Sequence, residues 1–489
     1  SELDNFYVAA GFNSIGIQSA GGAGMVLADW MDRGRQPIDL WDVDIRRMQP
    51  FQANRSYLQT RVSETLGLLY ADHFPYRQFA SARGVRRSPI HSYLDAEGAC
   101  FGEVAGWERA NWFLPKSEKE KGKKAEYEYS WRRQNWFDYS AAEHMAVRQK
   151  VGMFDMSSFG KIKLIGRDAE AVLQIIAAND VAVPVGKIVY TQFLNDDGHI
   201  EADVTVTRLG PEEFLIVTPA ATIRRDLHWI NGHIPDQAHA IAIDVTVSES
   251  VLVVMGPEAR SFLQPMIPQS LANDDFAFGT MQQIEIGHAV ARAHRVTYVG
   301  ELGWELYVSA DMSAHVFEAI AERRNDHPIA MCGLHALDSC RIEKGFRHFG
   351  HDISSEDHVL EAGLGFAVKE NKAQSKFGGM IGADAVAAKR NDGLSQRLMQ
   401  FRLTDPDPLL YHNEAIYRDG AVIGYLTSGN YGHYLGGAIG LGYVKCNSIG
   451  ETAEAQLNAH YQIDVAGKLV DAEVSLRPLY DPKALQVKL

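Results

Sequence analysis

An α+β multidomain chain that closes in a compact β-barrel or sandwich is the fold class this sequence predicts, and three observations predict it. Its 489 residues exceed one ordinary core, and at about 150 residues per domain roughly three units are expected. Through the middle of the chain, strand pairs alternate with helices, the pattern of antiparallel strands with segregated helices. Near the end, Gly420 to Val444 (GAVIGYLTSGNYGHYLGGAIGLGYV) alternates β-branched and aromatic residues with glycines, as short barrel or sandwich strands do.

The chain opens with Asn5 to Gly11 (NFYVAAG), which reads as an apolar strand with no partner strand before it, so the sequence is expected to begin inside a domain. Gly11 to Gly34 reads as strand, turn, then helix, with Asn13 or Ser14 as N-cap and Gly34 as the C′ stop. It fails the dinucleotide fingerprint, because Leu27 stands where the third glycine belongs. It also fails the phosphate-loop pattern, because Ile17-Gln18 stands where Lys-Ser/Thr belongs. Free amides at such a helix start still make a weakly positive site, suited to a phosphate or the electron-rich edge of a ring. From Trp41 to Phe113 the pattern is mixed, with a helix over Tyr57 to Leu69 and turns at His73-Phe-Pro75 and Arg87-Ser-Pro89.

Residues 115–133 (PKSEKEKGKKAEYEYSWRR) form a charged, low-complexity linker or exposed loop, and their interleaved Glu residues favour a solvated face over a nucleic-acid patch. Strands are expected at Lys161 to Ile165, Val189 to Phe193, Ala202 to Val206 and Phe214 to Val217, with a turn at Asn195-Asp-Asp-Gly198. A helix from Ala169 to Ala178 separates the first two strands, and another covers Arg225 to Ile230. Strands at Val251 to Met255, Met281 to Ile286 and Tyr298 to Val308 follow, then a helix around Met312 to Arg323. A second polar segment, residues 371–395, precedes the glycine-rich strands.

Composition narrows the function class. A net charge of -14 argues against a general nucleic-acid binder and favours small-molecule or protein partners. The apolar runs are a few residues long, against about 20 needed to span a bilayer. Cys100, Cys332, Cys340 and Cys446 form no CxxC pair or Cys/His cluster, which argues for buried reduced thiols in the cytoplasm or an organelle matrix such as the mitochondrial one. The histidines His335, His348, His351 and His358 share no helix face at ligand spacing, so no metal site is expected.

Three stretches can carry chemistry. Tyr298-Val-Gly-Glu-Leu-Gly-Trp-Glu305-Leu-Tyr-Val308 sets two carboxylates and two glycines in an apolar strand, with Glu301, Gly303 and Glu305 on one face and Trp304, Leu306 and Val308 on the other. That suits a carboxylate presented to a polar planar ligand, although a glycine-rich hairpin with a solvated Glu explains an isolated motif as well. Asp203 follows the tight turn and leads an apolar strand, where desolvation would raise its pKa and fit it to hold a proton; a turn-proximal surface Asp is the plainer alternative. Arg341 and Glu343 end an amphipathic helical run stopped by Gly345, and the arginine fork can pin a carboxylate or form a structural salt bridge.

Four segments in this order, GHIEADVTV, YVGELGWELYV, ALDSCRIEKGFRHFGHDIS and GYLTSGNYG with LGYV, resemble the aminomethyltransferase or glycine cleavage T-protein family, over roughly residues 130–485. Upstream, NFYVAAGFNSIGIQSAGGAG and LADWMDRGRQPIDLWDVDIRRMQPF are similar to the last strand and helix of a flavin amine-oxidase domain, as fused to that module in dimethylglycine and sarcosine dehydrogenases. The resemblance implies a cloverleaf of mixed α/β units around a tetrahydrofolate channel, with residues 1–43 as the terminal segment of an FAD-dependent oxidoreductase domain and 44–114 as its central domain. It places the folate-binding domain at 134–370 and the C-terminal barrel at 396–489. Asp203 matches the acidic residue beside the reacting folate nitrogens, Tyr298 and Glu305 the groups that hold the pteridine, Tyr190 an aromatic wall, and Arg341 the helix arginine supporting that end. Glu301 is the less certain carboxylate.

The same resemblance implies a flavin that oxidises an N-methyl amine to an iminium, which tetrahydrofolate captures as methylenetetrahydrofolate. Oxygen or an electron-transfer flavoprotein would take the electrons. The glycine fingerprint and FAD-tethering histidine of such enzymes would lie before Ser1, so a fragment, a cleaved product or a separate FAD-binding polypeptide is expected to complete the site. The amides of Asn13, Ser14, Ile15 and Gly16 are expected to meet the flavin pyrimidine edge. A stand-alone folate-dependent demethylase and a non-catalytic folate-binding subunit are the alternatives.

Overall fold

The computed structural model describes residues 5–489. Gly16–Arg33 is a helix, stopped by Gly34 in the left-handed conformation at φ +69° with its N–H on the Trp30 carbonyl, where a side chain would be strained. Two expectations at this end are corrected. Asn5 to Gly11 is not a strand, because it has no neighbouring ladder to satisfy its N–H and C=O groups. Neither Asn13 nor Ser14 caps the helix: Asn13–Ile15 is a single 3-10 turn running into it, and Ile15, the capping residue, offers no side-chain acceptor. A second helix, Arg55–Leu68, is capped by Asn54, whose side chain accepts from the N–H groups of Ser56 and Tyr57.

Strands β1 (Ala99–Val104) and β2 (Trp107–Phe113) form an antiparallel hairpin. The charged stretch after it is only partly a solvated loop. Lys116–Glu120 makes a short helix, and Tyr127 turns inward to donate to His335 or accept from it at 2.9 Å while Asn111 Nδ2 donates to its hydroxyl at 2.7 Å.

The central strands are β3 (Gly152–Asp155), β4 (Gly160–Ile165), β5 (Ile188–Leu194), β6 (Ile200–Gly210), β7 (Glu213–Thr218), β8 (Ile241–Asp244), β9 (Glu249–Met255), β10 (Met281–Ile286), β11 (Ala289–His294), β12 (Gly303–Ser309) and β13 (Ala330–Met331). They form two sheets, ordered β5-β6-β7-β4-β8 and β10-β11-β12-β9-β3-β13. Helices Ala169–Ile176 and Ile223–Gly232 bury their apolar faces on the first, and Ser313–Arg323 on the second. A third cluster, containing Leu215 of β7, Val251 and Val253 of β9 and Ala336 of the helix Leu334–Glu343, joins the two sheets.

The expected strand from Tyr298 to Val308 is half right. It begins only at Gly303; Tyr298 to Leu302 is a loop. Gly300 turns at φ +88°, and Gly303 lies so close to β9 that a Cβ there would stand 2.5 Å from the Val254 carbonyl oxygen. Within β12 the alternation holds: Trp304, Leu306 and Val308 are fully buried in the core of the second sheet, each contributing about 2 kcal/mol of apolar burial, while Glu305 and Tyr307 face the other way.

The C-terminal region resolves the barrel-or-sandwich alternative. Strands β14 (Gln396–Leu403), β15 (Ala415–Arg418), β16 (Ala421–Gly432), β17 (Gly437–Lys445), β18 (Tyr461–Val465) and β19 (Lys468–Ser475) close as a barrel in the order β14-β17-β16-β15-β18-β19. Closure removes the edges a sandwich would expose. No helix among the described residues is long and apolar enough to cross a membrane.

Candidate functional site

One cavity of about 2370 Å³ penetrates the molecule where the two sheets, the β1-β2 hairpin and the barrel approach one another. It is larger than the 300–1,000 Å³ typical of a single small-molecule site. Tyr190, Asp203, Tyr298, Glu305 and Arg341 all line it. Residues predicted from segments more than a hundred positions apart in sequence therefore share one chamber.

Asp203 sits on β6 with Ala202, Val204 and Val206 pointing into the core of the first sheet and its own carboxyl facing the cavity. In the β5-β6 hairpin it pairs in register with Gln192, whose Nε2 donates to Asp203 Oδ1 at 2.7 Å. Burial pushes its pKa up to about 6; hydrogen bonds from Gln192 and Tyr190 and the Arg347 charge hold it below what burial alone would give. Tyr190, itself pushed well up by burial and the adjacent carboxylate, remains a neutral hydroxyl, and its ring stacks toward Phe366 at 6.2 Å between centroids.

Glu305 is the second perturbed carboxyl. Burial raises its pKa to about 7, against the Tyr307 hydroxyl that donates to its Oε2 at 2.9 Å and the more distant Lys161 charge. Its Oε1 accepts no hydrogen bond from the described residues, so this carboxylate offers the cavity an open acceptor. Tyr298 donates its hydroxyl to the Arg347 carbonyl at 2.9 Å and lies nearly parallel to Phe346, making a flat apolar wall.

Arg341 has a different task. Its Nε donates to Asp338 Oδ1 and its Nη1 to Asp352 Oδ2, both at 2.6 Å. Those aspartates reach the barrel: Asp338 accepts from Asn430, and Asp352 from Thr427 and Ser428. Burial acts against the charge on Arg341, but the two carboxylates outweigh it and raise its pKa. Of the two uses open to it, the structural ion pair is the one formed, with two aspartates and not with Glu343.

Glu301 leaves the site. It is fully buried, outside the cavity lining, with Oε1 accepting from Arg148 Nη1 at 2.9 Å and from the Tyr480 hydroxyl at 2.6 Å. Arg148 also holds Glu343, so these carboxylates lock the interior. Asn13, Ser14, Ile15 and Gly16 do not line the cavity either; they stand on the surface, where Ser14 Oγ accepts from Tyr70 at 2.8 Å.

Three residues outside the sequence-based set belong to the site: Gln192, Tyr307 and Arg347. Tyr307 could have been found, since two-residue alternation puts it beside Glu305 on the same strand face. Gln192 was within reach once the Asn195 to Gly198 turn set the hairpin, but a β-bulge between Phe193 and Leu194 shifts the register that counting from the turn would give.

Three family models match the chain: the GCVT N-terminal domain over residues 90–372, the glycine cleavage T-protein C-terminal barrel domain over 396–481, and the FAD dependent oxidoreductase central domain over 33–88. The chain is 42% identical over 488 residues to the 4-methylaminobutanoate oxidase (formaldehyde-forming) of Paenarthrobacter nicotinovorans, covering 100% of this chain and 57% of that protein. It is 31% identical over 522 residues to the mitochondrial sarcosine dehydrogenase of Mus musculus, covering 100% of this chain and 56% of that one. The chain thus spans a little over half the length of these relatives. In fold it is similar to the glycine cleavage system aminomethyltransferase T from Bartonella henselae, with a TM-score of 0.67 at 22% identity over 82% of this chain and 99% of that one. With its N-terminal domain model covering more than half of its length and its barrel model following in order, the chain belongs to the glycine cleavage T-protein family.

Proposed function

We propose that the cavity binds tetrahydrofolate and that this chain performs the one-carbon capture of an oxidative N-demethylation. The observation that carries the reading is the pairing, in one enclosed chamber, of a carboxyl near pKa 6 braced by a buried amide with a second carboxyl near 7 that keeps a free oxygen toward the cavity. A reduced pteridine is a flat ring edged with amino and N–H donors, and Glu305 Oε1 is an acceptor without a partner beside the flat Tyr298 wall, so the residues present fit the group. When bound, tetrahydrofolate supplies the nitrogen nucleophiles that take up a one-carbon unit.

Each residue then has a stated part. Glu305 accepts from the ring donors and fixes the orientation of the pteridine; Tyr298 and Tyr190 wall its faces and exclude water. Asp203, mostly ionised at pH 7 with a pKa of about 6, accepts a proton at its carboxylate as a nitrogen is alkylated and stabilises positive charge developing there. Gln192 keeps the accepting oxygen pointed at the cavity. Arg341 touches no reacting atom and acts by tying its helix to the barrel floor.

A flavin is a different matter. The helix Gly16–Arg33 buries none of its residues and Asn13 to Gly16 lie outside the cavity, so the residues present do not enclose an isoalloxazine ring. Their surface backbone, apart from the Ile15 N–H that already donates to the Phe12 carbonyl, can form one edge of a flavin site completed by other parts of a longer protein. The relatives' names, an oxidase of 4-methylaminobutanoate and a dehydrogenase of sarcosine, support an N-methyl amine as the carbon source for the whole protein, and the four thiols suit a reducing compartment, the cytoplasm or a mitochondrial matrix.

The test has two parts. Titration of the chain with 5-formyltetrahydrofolate, followed by intrinsic fluorescence, is expected to show saturable binding that Glu305→Gln weakens. With an N-methyl amine and a flavin-bearing protein supplied, mass spectrometry is expected to find methylenetetrahydrofolate with the wild type and not with Asp203→Asn. Binding without any product, even from the complete assembly, would favour a non-catalytic folate-binding subunit.

A further inference from the structure

The cavity holds one cation whose presence the folate residues do not explain. Arg109 lies on β2, opposite Gly102 of β1, so no side chain faces it across the hairpin, and its accessible surface belongs to the cavity. Among the described residues its guanidinium forms no hydrogen bond and no ion pair, and its Nε is buried without a partner. Three other cations of this cavity are held by carboxylates, Arg341 by Asp338 and Asp352, Arg225 by Asp39 and Glu201, and Lys344 by Asp481; Arg347 and Arg133 donate to backbone carbonyls, and Arg132 is solvent-exposed at the rim.

The carboxylates nearest to it on its own hairpin and core hold other partners. Glu103 and Glu108 of the same hairpin are paired with Arg61 and Arg83. Asp155, the charged group that acts on Arg109, accepts instead from Ser88 Oγ and from the Ser157 N–H at 3.0 Å. Burial accordingly lowers the Arg109 pKa to about 10, with Asp155 offsetting only part of it. A half-buried guanidinium without an acceptor is unfavourable, and its planar fork matches a carboxylate or a phosphate.

We propose that Arg109 binds the carboxylate of a small-molecule ligand inside the cavity. The carboxylate has two chemical sources: an amino-acid-type N-methyl amine, or the glutamyl tail of the folate. Either way Arg109 selects for acid-bearing ligands, which deepens the folate-linked reading and rests on it for the choice of probes.

Isothermal titration of the full chain with four probes separates the sources: 5-formyltetrahydrofolate, the carboxylate-free 6-methyltetrahydropterin, N,N-dimethylglycine and trimethylamine. If the tail is the ligand, Arg109→Gln weakens 5-formyltetrahydrofolate on the order of 10- to 100-fold and leaves the pterin unchanged. If the amine is the ligand, the same loss falls on N,N-dimethylglycine alone, while Arg109→Lys keeps part of the affinity. Arg109→Gln binding all four probes as the wild type does overturns the proposal and leaves folate binding standing; a wild type that binds neither 5-formyltetrahydrofolate nor the pterin overturns the reading beneath it. Arg109→Met is expected to unfold at or above the wild-type temperature without ligand, because it removes an unpaired, half-buried charge. A lower melting temperature with unchanged ligand binding would make Arg109 a structural residue and sink the proposal.

Discussion

Gln192 and Asp203 stand opposite one another in the β5-β6 ladder, and the 2.7 Å bond from Gln192 Nε2 to Asp203 Oδ1 ties a fully buried amide to a carboxyl that reaches the cavity. That bond offsets part of the burial that leaves the Asp203 pKa raised to about 6. Gln192→Leu is therefore expected to push the Asp203 pKa higher and to move the acidic limb of the pH–rate profile for carbon capture upward, by on the order of one pH unit. A profile that keeps its midpoint while the rate falls uniformly would remove Gln192 from the control of Asp203.

Asp203→Asn is expected to leave 5-formyltetrahydrofolate affinity within a few-fold of wild type and to lower capture by about 10²- to 10⁴-fold, the usual worth of a positioned proton acceptor. The same variant tests the pKa through stability. The folded-state pKa of about 6 lies above the ordinary aspartate value of 3.8, so protonated Asp203 favours folding below pH 3.8 and that contribution is lost as pH rises through 6. At pH 8 the asparagine variant is expected to be more stable than the wild type by on the order of 2–3 kcal/mol, and by little near pH 4. Thermal denaturation at both pH values measures the difference.

Tyr307 donates to Glu305 and restrains a pKa raised by burial to about 7. Ligand affinity that depends on ionised Glu305 is expected to weaken as pH falls through 7. Tyr307→Phe raises that midpoint, costing about 5- to 10-fold in affinity at pH 7 and less at pH 8.5. Fluorescence titrations across that range would contradict the assignment if the wild-type and variant curves ran parallel.

Arg341 and Arg148 serve the framework. Arg341→Met leaves Asp338 and Asp352 without their buried counter-ion and is expected to cost about 3–5 kcal/mol in denaturant unfolding, with hydrogen exchange rising first at Thr427 to Asn430, the barrel end those aspartates hold. Glu301→Gln, which weakens the Arg148 and Tyr480 contacts, is expected to lower stability while leaving folate affinity unchanged. A large affinity loss in a stable Glu301→Gln protein would return Glu301 to the site.

The sequence by itself determined several strands and helices of the central sheets, because alternation of apolar and polar residues in segments such as Ala202 to Val206 and Trp304 to Val308 decides which face can be buried; the strands Gly152–Asp155, Ile241–Asp244, Ala289–His294 and Ala330–Met331 are not among them, the shortest carrying too few residues to show that period. The residues alone pointed to Asp203, Glu305 and Arg341 as candidates, because ionisable groups in apolar strands and helices stand out without coordinates, and the family resemblance added Tyr190 and Tyr298; all five line one cavity. Local pattern failed where partners decide. Asn5 to Gly11 has the composition of a strand but no ladder to join. Tyr298 to Leu302 leaves the strand as Gly300 turns the chain and Arg148 holds Glu301 inside. Only the tertiary structure could make Glu305 an open acceptor and Glu301 a locked ion pair, four residues apart in one motif, or reveal Arg109 as a cation without a partner. Burial and charge pairing depend on residues distant in sequence, and no pattern along the chain records which of them arrive at the same place.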